Sequence, residues 1–318
     1  MTTFRYPRPE QEPSSPWSGF SDEAKTALTR MAMGPSPADQ LLDPEGRNGE
    51  DHLSREVQLW AEVELENSLT AWGTYIGTLQ IFDMPHTYTD VVEGSKKFEQ
   101  TINKLYEAKQ SLTESNEATP EEQNVGETMH LALVPWQEIR NHLTDFDQWV
   151  NTMRNAQGIA PDQDYINKDL LSAIKSDQPL YRDPASPFQL LTSTQYLDRK
   201  ITEDGPWGII LVQTSPEAGI ESIRGQSPNE MTHNGQSHFE LAGRNVDALG
   251  IFEWVALTFE KNPQELSPQD VSWFLANRMD VDGVPRVPSG YWGGDLVRSF
   301  LFWAGDQNDY VRVRLAVM

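Results

Sequence analysis

The chain has 318 residues, a net charge of −23 and no cysteine. The acidity disfavours nucleic acid and anionic membrane surfaces as partners, because both carry negative charge. The absence of cysteine excludes disulfides, thiolate metal sites and cysteine nucleophiles. No segment has the apolar length of a secretion signal or a membrane span, so we expect a cytoplasmic protein with no membrane association.

Residues 1–50 are predicted to be a tail, mostly disordered or loosely docked on the rest of the chain. Pro7, Pro9, Pro13 and Pro16 interrupt any helix in its first part, and the stretch 35–49 is again typical of a loop.

Residues 51–178 are predicted to be an acidic, all-α helical bundle. Apolar residues recur at three- and four-residue steps through this segment, and Val91, Phe98, Leu105 and Leu112 are spaced seven apart, which is typical of a helix packed against a neighbour. Thr119 is predicted to cap a further helix that has proline at its first position. The predicted helices span about 51–82, 90–115, 120–134, 135–157 and a fifth segment that follows Pro161.

Residues 185–318 are predicted to be a small α+β domain with a mainly antiparallel sheet, separate from the bundle. The apolar run "WGIILVQ" is typical of a buried strand. Near residue 318, two strand-like runs flank "GDQND", and valine alternates with arginine from Val311 onward, which predicts a half-buried hairpin. The predicted fold class is therefore α+β, with an N-terminal helical bundle followed by the α+β domain.

Several histidine and serine positions are of residue types that can carry chemistry. His233 and His238 are metal-binding residue types, but a spacing of five does not place both rings on one helical face, so no metal site is predicted. Ser237 lacks the G-x-S-x-G context of a serine nucleophile. His130 and His142 lie singly in predicted helices and are expected at the surface. No catalytic residue and no cofactor are predicted.

The segment "DVDG" at residues 280–283 begins like a calcium-binding loop. That loop requires glutamate six residues after the glycine, where this chain has Ser289. The pattern instead favours a turn in which an aspartate side chain caps the nearby backbone.

Aromatic residues near a glycine-rich stretch favour a second hypothesis, a small-ligand or peptide cleft in the α+β domain. Its walls would be aromatic, an arginine would attract an anion, and a histidine would supply acid–base chemistry. The candidate site residues are Tyr291, Trp292, Arg298, Trp303, His233 and His238.

Four segments in order, "WGIILVQ", "DALGIFEWVALTFEKNPQEL", "ANRMDVDGVPRVPSGYW" and "FLFWAGDQNDYVRVR", carry a resemblance. From about residue 205 to residue 318 the chain resembles an uncharacterised actinobacterial domain family of unknown function. Arg278, Val287 and the Trp-Ala-Gly run that begins at Trp303 correspond to family positions. The histidine that the family has after this run is missing here, where Asn308 to Tyr310 stand. The resemblance implies no activity.

Three functions therefore remain open. The first is a non-enzymatic protein–protein interaction module whose acidic surface binds a basic protein partner. The second is a ligand-binding protein or hydrolase-type enzyme with its pocket in the C-terminal domain. The third is an inhibitor or immunity-type protein that blocks a basic active site. The absence of a catalytic constellation and the concentration of acidic residues before residue 178 favour the first.

Overall fold

A computed structural model describes most of the chain beyond residue 52. The described residues are 53–79, 81, 83–114, 118–162, 164–183, 186–214, 226–231, 238–241, 244–260, 270–293, 296–305, 307, 311–313 and 315–317. The predicted tail, residues 1–50, lies outside them.

Helices dominate the first part of the described chain and alternate with strands from residue 129 to residue 260, and the described elements after residue 260 are strands. The helices are α1 (Arg55–Leu79), α2 (Tyr88–Gly94), α3 (Phe98–Glu114), α4 (Pro120–Glu127), α5 (Trp136–Asn141), α6 (Phe146–Ala156), α7 (Lys168–Lys175), α8 (Ser193–Asp204), α9 (Pro228–Met231) and α10 (Ile251–Glu260). A short 3-10 helix, Leu143–Asp145, joins α5 to α6.

The strands are distributed over two larger sheets and one hairpin. They are β1 (Met129–Val134), β2 (Pro179–Asp183), β3 (Ser186–Thr192), β4 (Gly208–Gln213), β5 (His238–Leu241), β6 (Arg244–Ala248), β7 (Asp270–Trp273), β8 (Met279–Val281), β9 (Val284–Gly293), β10 (Leu296–Trp303), β11 (Val311–Val313) and β12 (Leu315–Val317).

The first sheet has the order β1-β4-β12-β6-β5, and the second has the order β10-β9-β7-β11 with β8 also paired to β9. Strands β2 and β3 form a separate antiparallel hairpin. Among the described pairs, β11 and β7 are parallel and the others are antiparallel. The prediction of an α+β fold with mainly antiparallel sheets is confirmed.

The apolar positions predicted for the second helix are confirmed, but that helix is two helices. Val91, Phe98, Leu105 and Leu112 are all buried. The chain breaks between α2 and α3 at Ser95, whose backbone is extended. The seven-residue spacing is kept across the break because both helices pack the same side against the core.

The predicted start of α4 is confirmed. Thr119 is the N-cap, and its side-chain oxygen accepts a hydrogen bond from the amide of Glu122, whose carboxylate in turn accepts from the amide of Thr119. Pro120 occupies the first turn, where its missing N–H costs nothing. This capping box fixes where the helix begins.

The predicted helix 120–134 is wrong beyond residue 127, because Met129–Val134 is strand β1. It pairs with β4 along its whole length, from Met129 opposite Gln213 to Val134 opposite Gly208. Pro135 favours an extended residue before it. A short apolar run that is buried on both faces has no alternation, so its periodicity does not separate strand from helix.

The hairpin predicted around "GDQND" is also wrong. Strand β10 pairs with β9, whereas β11 adds to β7 in the second sheet and β12 enters the first sheet between β4 and β6. The alternating valines therefore belong to two short strands in different sheets. Alternation reports that a segment is half-buried, but it does not identify the pairing partner.

Residues 52–318 form one compact unit, where the sequence analysis expected a bundle and a separate domain. Helix α10 explains the difference. Every one of its residues is buried, and it contacts α1, α6 and β1. A helix that is apolar on all sides must be covered on all sides, and the earlier helices supply that cover. Phe146 and Phe252, for example, pack edge to face with ring centroids 5.5 Å apart.

A buried carboxylate joins the two parts of this core. Glu260, at the end of α10, accepts hydrogen bonds through Oε1 from the Ser68 hydroxyl, from Trp72 Nε1 at 2.6 Å and from the Leu133 amide at 2.7 Å. Glu260 is only 8% exposed. One oxygen atom therefore connects α1, β1 and α10.

Candidate functional site

The β9–β10 hairpin carries four of the six residues predicted for a ligand site. Arg298 lies directly opposite Tyr291 in the ladder, and Trp292 is the next residue along β9. Trp303 lies farther along β10, about 17 Å from Arg298 at ~3.3 Å per residue. The hairpin thus brings Tyr291, Trp292 and Arg298 to one end and leaves Trp303 near the other.

Arg298 is engaged in an ion pair. Its Nε donates to Asp162 Oδ2 at 3.1 Å, and its side chain is 36% exposed. Burial alone would raise the pKa of Asp162, but hydrogen bonds from the Asp164 amide and the Arg298 guanidinium hold it below its usual value. The guanidinium therefore fastens β10 to the segment that follows α6.

Trp303 and His238 lie at other positions in the sheets. Trp303 is 48% exposed, and its ring covers Gly305, where a Cβ would lie only 2.8 Å from the indole. His238 begins β5, the edge strand of the first sheet, and not the second. His233 lies outside the described residues. A ligand-binding role for these residues stays a prediction.

The turn predicted at residues 280–283 is confirmed. Asp280 Oδ1 accepts a hydrogen bond from the Gly283 amide at 2.7 Å, and Asp282 and Gly283 both have positive φ, 55° and 78°. Two central residues with positive φ form the tight turn that matches the twist of a hairpin. The aspartate stabilises the β8–β9 turn.

Helix α1 carries a cluster of acidic residues on its outer side. At 100° per residue, Glu56, Glu62, Val63 and Glu66 share one side of the helix, and the buried residues, such as Leu65, share the opposite side. We call the side that carries Glu56, Glu62, Val63 and Glu66 the acidic face. Val63 is 49% exposed and lies between Glu66 and Glu56 around the helix. Arg55 is the only base in the α1 sequence.

The carboxylates of the acidic face repel one another. Glu62 and Glu66 are four residues apart on one helix, a spacing at which like charges destabilise the helix. Burial and the neighbouring Glu66 raise the pKa of Glu62, and Arg55 opposes this rise. Arg55 therefore compensates only part of the repulsion between Glu62 and Glu66.

Two tyrosines lie next to the acidic face, and its carboxylates help to raise their pKa values. Tyr106 Oη donates to Glu56 Oε1 at 2.8 Å. Burial, this hydrogen bond and the charges of Glu56 and Glu114 raise the pKa of Tyr106 to about 12. Burial and Glu62 raise the pKa of Tyr88 to about 12. Aromatic side chains beside carboxylates are well suited to contact an amphipathic cation.

The fourth carboxylate of α1, Glu64, points away from this face. Its Oε2 contacts His130 Nδ1 at 3.1 Å and accepts a hydrogen bond from the Leu131 amide at 3.3 Å. Burial would raise its pKa, but His130 and the charge of Lys109 hold it below the usual value. Glu64 therefore binds α1 to β1, and His130 is not an isolated surface residue.

His142 forms a second cluster that the sequence analysis missed. Its Nε2 lies 3.3 Å from Glu138 Oε1 and its Nδ1 lies 3.2 Å from Asp145 Oδ1, while the ring stacks on Trp149 at 6.1 Å. Burial raises the pKa of Glu138 above its usual value, and the nearby His142 opposes part of this rise. The i,i+4 and i,i+3 spacings in "EIRNHLTD" are the signal that would have identified it. The cluster connects α5 to the start of α6.

Glu253, in α10, has a carboxyl group that is buried in the protein core. Its Oε1 accepts a hydrogen bond from the Tyr196 hydroxyl, and Gly250 leaves room for Oε2, since a Cβ there would lie 2.6 Å away. Burial raises the pKa of Glu253 above its ordinary value of 4.5.

We expect Glu253→Gln to change how stability depends on pH. Above pH 4.5 the unfolded carboxyl ionises while the folded one keeps its proton, so the free energy of unfolding falls as pH rises toward the folded pKa. The amide of the variant does not ionise, and its oxygen still accepts from Tyr196. Urea unfolding at pH 5 and pH 8 should show a larger loss for the natural chain than for the variant, and parallel losses would contradict this assignment.

Comparison of the chain with protein-family models, curated proteins and solved structures gave no match. The resemblance of residues 205–318 to an actinobacterial family therefore stays a prediction.

In the described part of the chain, no helix combines the length and apolar character needed to span a bilayer. The described residues also contain no group of three or more His, Asp and Glu side chains arranged to hold a metal ion.

Proposed function

We propose that this chain is a non-enzymatic interaction protein that binds a basic partner protein through the acidic face of α1. The observation that carries the proposal is the half-exposed Val63 with Glu62 and Glu66 beside it on the same side of the helix. An apolar centre with a charged rim is the usual composition of a protein interface.

Charge supports the same partner class. The net charge of −23 attracts cationic proteins over distances longer than contact and accelerates their association. On the acidic face, a lysine or arginine from the partner would relieve the repulsion between Glu62 and Glu66. The unbound helix keeps this repulsion, and binding of a cationic side chain would remove it. The cytoplasm stays the expected compartment.

We expect Glu62→Gln/Glu66→Gln to weaken binding to a basic amphipathic helix by about fivefold, since exposed ion pairs contribute up to about 1 kcal/mol each. The probe is a synthetic peptide of lysine and leucine at helical spacing, and fluorescence anisotropy of the labelled peptide gives its Kd. The matched control is Glu127→Gln/Asp164→Asn, which removes two exposed carboxylates outside α1.

Two further measurements separate the parts of the interface. Raising the salt concentration from about 50 mM to about 500 mM should weaken binding to the natural chain, because exposed charges are screened. Val63→Ser should weaken binding at both salt concentrations, because apolar contact is not screened. Equal Kd values for the natural chain and the Glu62/Glu66 variant, or a Kd independent of salt, would refute the proposal.

A further inference from the structure

Helices α1 and α3 bring two aromatic rings and a carboxylate together. The ring centroids of Trp60 and Tyr106 lie 5.2 Å apart, and the ring planes are inclined by 58°. The two rings are therefore not stacked face to face, and neither covers the whole face of the other. Both side chains pack against the core while part of their surface stays exposed. The hydroxyl of Tyr106 donates a hydrogen bond to Glu56 Oε1 at 2.8 Å.

The helical spacing of these residues fixes the arrangement. Glu56 and Trp60 are four residues apart on α1, so they lie on the same side of that helix. Tyr106 and Gln110 have the same spacing on α3, and Gln110 Nε2 donates to the Tyr106 hydroxyl at 3.0 Å. The hydroxyl thus binds both helices, which holds the tyrosine ring in place. Two regular helices carry the site, so a ligand does not have to order a loop in order to bind.

The electrostatic environment of the rings is negative. Burial, the hydrogen bond to Glu56 and the charges of Glu56 and Glu114 raise the pKa of Tyr106 to about 12. Both charged groups that contribute to this rise are carboxylates. The site therefore attracts cations.

The bases on the same two helices are directed to other carboxylates. The ammonium group of Lys109, on α3, donates to the backbone of β1 and lies near Glu64. Arg55, on α1, opposes the rise in the pKa of Glu62. Glu56 is bound by a hydroxyl group, which does not neutralise it. Its charge is therefore available to a ligand.

Aromatic faces beside a carboxylate favour an alkylated ammonium group as the ligand. The face of an aromatic ring carries partial negative charge and attracts a cation placed over it, most strongly at tryptophan. A primary ammonium group holds its water strongly, whereas methyl groups on the nitrogen provide apolar surface that packs against the rings. Aromatic sites recognise quaternary ammonium ligands and methylated lysine in this way.

We propose that Trp60 and Tyr106, with Glu56 beside them, bind a methylated ammonium group. The rings contact the methyl groups of the cation, and Glu56 neutralises its charge. The group belongs to a small molecule such as choline or to a methylated lysine side chain. The site shares Glu56 with the acidic face of α1, but it needs none of the other residues of that face, so it does not rest on the function proposed above.

Nuclear magnetic resonance of the isotope-labelled full chain tests the site. Each of the ten tryptophans has an indole N–H group, and the signal that is missing from Trp60→Leu belongs to Trp60. Titration with choline should shift this signal until it saturates. The uncharged isostere of choline, in which a tert-butyl group replaces the trimethylammonium group, should shift it far less. Ethanolamine, whose ammonium group carries no methyl groups, should also bind more weakly.

Substitutions then identify the residues that hold the cation. Glu56→Gln should weaken choline binding by about threefold, the size expected for an exposed ion pair. The matched control is Glu127→Gln, which removes an exposed carboxylate from α4 and should leave the Kd unchanged. Tyr106→Leu should weaken binding by about fivefold because it removes one aromatic face. Phe300→Leu removes an exposed aromatic ring from β10 and should have no effect.

A capped trimethyl-lysine separates the two sources of the cation. Tighter binding of this probe indicates a lysine side chain, tighter binding of choline indicates a small molecule, and either result supports the site. Equal shifts with choline and its uncharged isostere, or no shift at millimolar choline, would overturn the proposal. So would equal losses in Glu56→Gln and Glu127→Gln. The isostere comparison uses the natural chain, so it holds even if Tyr106→Leu lowers the Tm. Binding of the lysine–leucine peptide without binding of choline would contradict this site alone.

Discussion

Glu260→Ala is expected to destabilise the chain by about 2–4 kcal/mol, because buried donors lose their shared side-chain acceptor. The substitution removes the acceptor that the Ser68 hydroxyl, the Trp72 indole N–H and the Leu133 amide share. The indole keeps the Leu133 carbonyl at 3.2 Å and the Leu133 amide keeps the Ser68 oxygen at 3.1 Å. Each buried donor that loses its partner costs about 1–3 kcal/mol. Urea unfolding followed by tryptophan fluorescence measures the change.

Glu260→Gln is the control for this prediction. Glutamine retains a side-chain oxygen in the same place, so the loss should be smaller, about 1–2 kcal/mol. Ser68→Ala removes one donor to Glu260 and one of the two acceptors of the Leu133 amide, which keeps its hydrogen bond to Glu260. This variant should cost about 1 kcal/mol. If the alanine variant were as stable as the natural chain, Glu260 would not hold α1, β1 and α10 together.

Cutting the chain between residues 178 and 185 is expected to leave both pieces unfolded when they are produced separately. Strand β1 belongs to the first piece, and its partner β4 belongs to the second. The first piece would expose the apolar face that α10 covers, and the second would carry α10 without the helices around it. Near-UV circular dichroism should show no ordered aromatic signal in either piece.

The matched experiment mixes or co-expresses the two pieces. Because the interface between them is a core of buried apolar side chains, they should associate and recover the aromatic signal of the intact chain. Cooperative thermal unfolding of residues 53–178 alone would contradict the shared core and would support two independent domains.

Local features of this fold could be predicted from the sequence because each depends on nearby residues. The capping box at Thr119 needs only the Thr-Pro-Glu-Glu run, and the β8–β9 turn needs only Asp280 and Gly283. The buried side of α3 follows from the spacing of Phe98 and Leu105. Strand β4 follows from a run of apolar, mostly β-branched residues.

Pairing between distant segments could not be predicted in the same way. Whether "MHLALV" becomes a helix or a strand depends on β4, which follows it by more than seventy residues. The same limit applies to the sites. The sequence places four glutamates on α1, but only the fold shows that Glu64 binds His130 while Glu62 and Glu66 lie on the outer side.

The position of β12 has a consequence for the order in which the first sheet is assembled. β12 follows the other strands of that sheet in the chain, yet it lies between β4 and β6. Until residues 315–317 are in place, the β1–β4 pair and the β5–β6 pair remain separate, each with an unpaired inner edge. Closing the sheet requires contacts of very high sequence separation, and such topologies fold slowly. During synthesis the unpaired edges would be open to other chains, so this protein should benefit from chaperones that shield exposed strands.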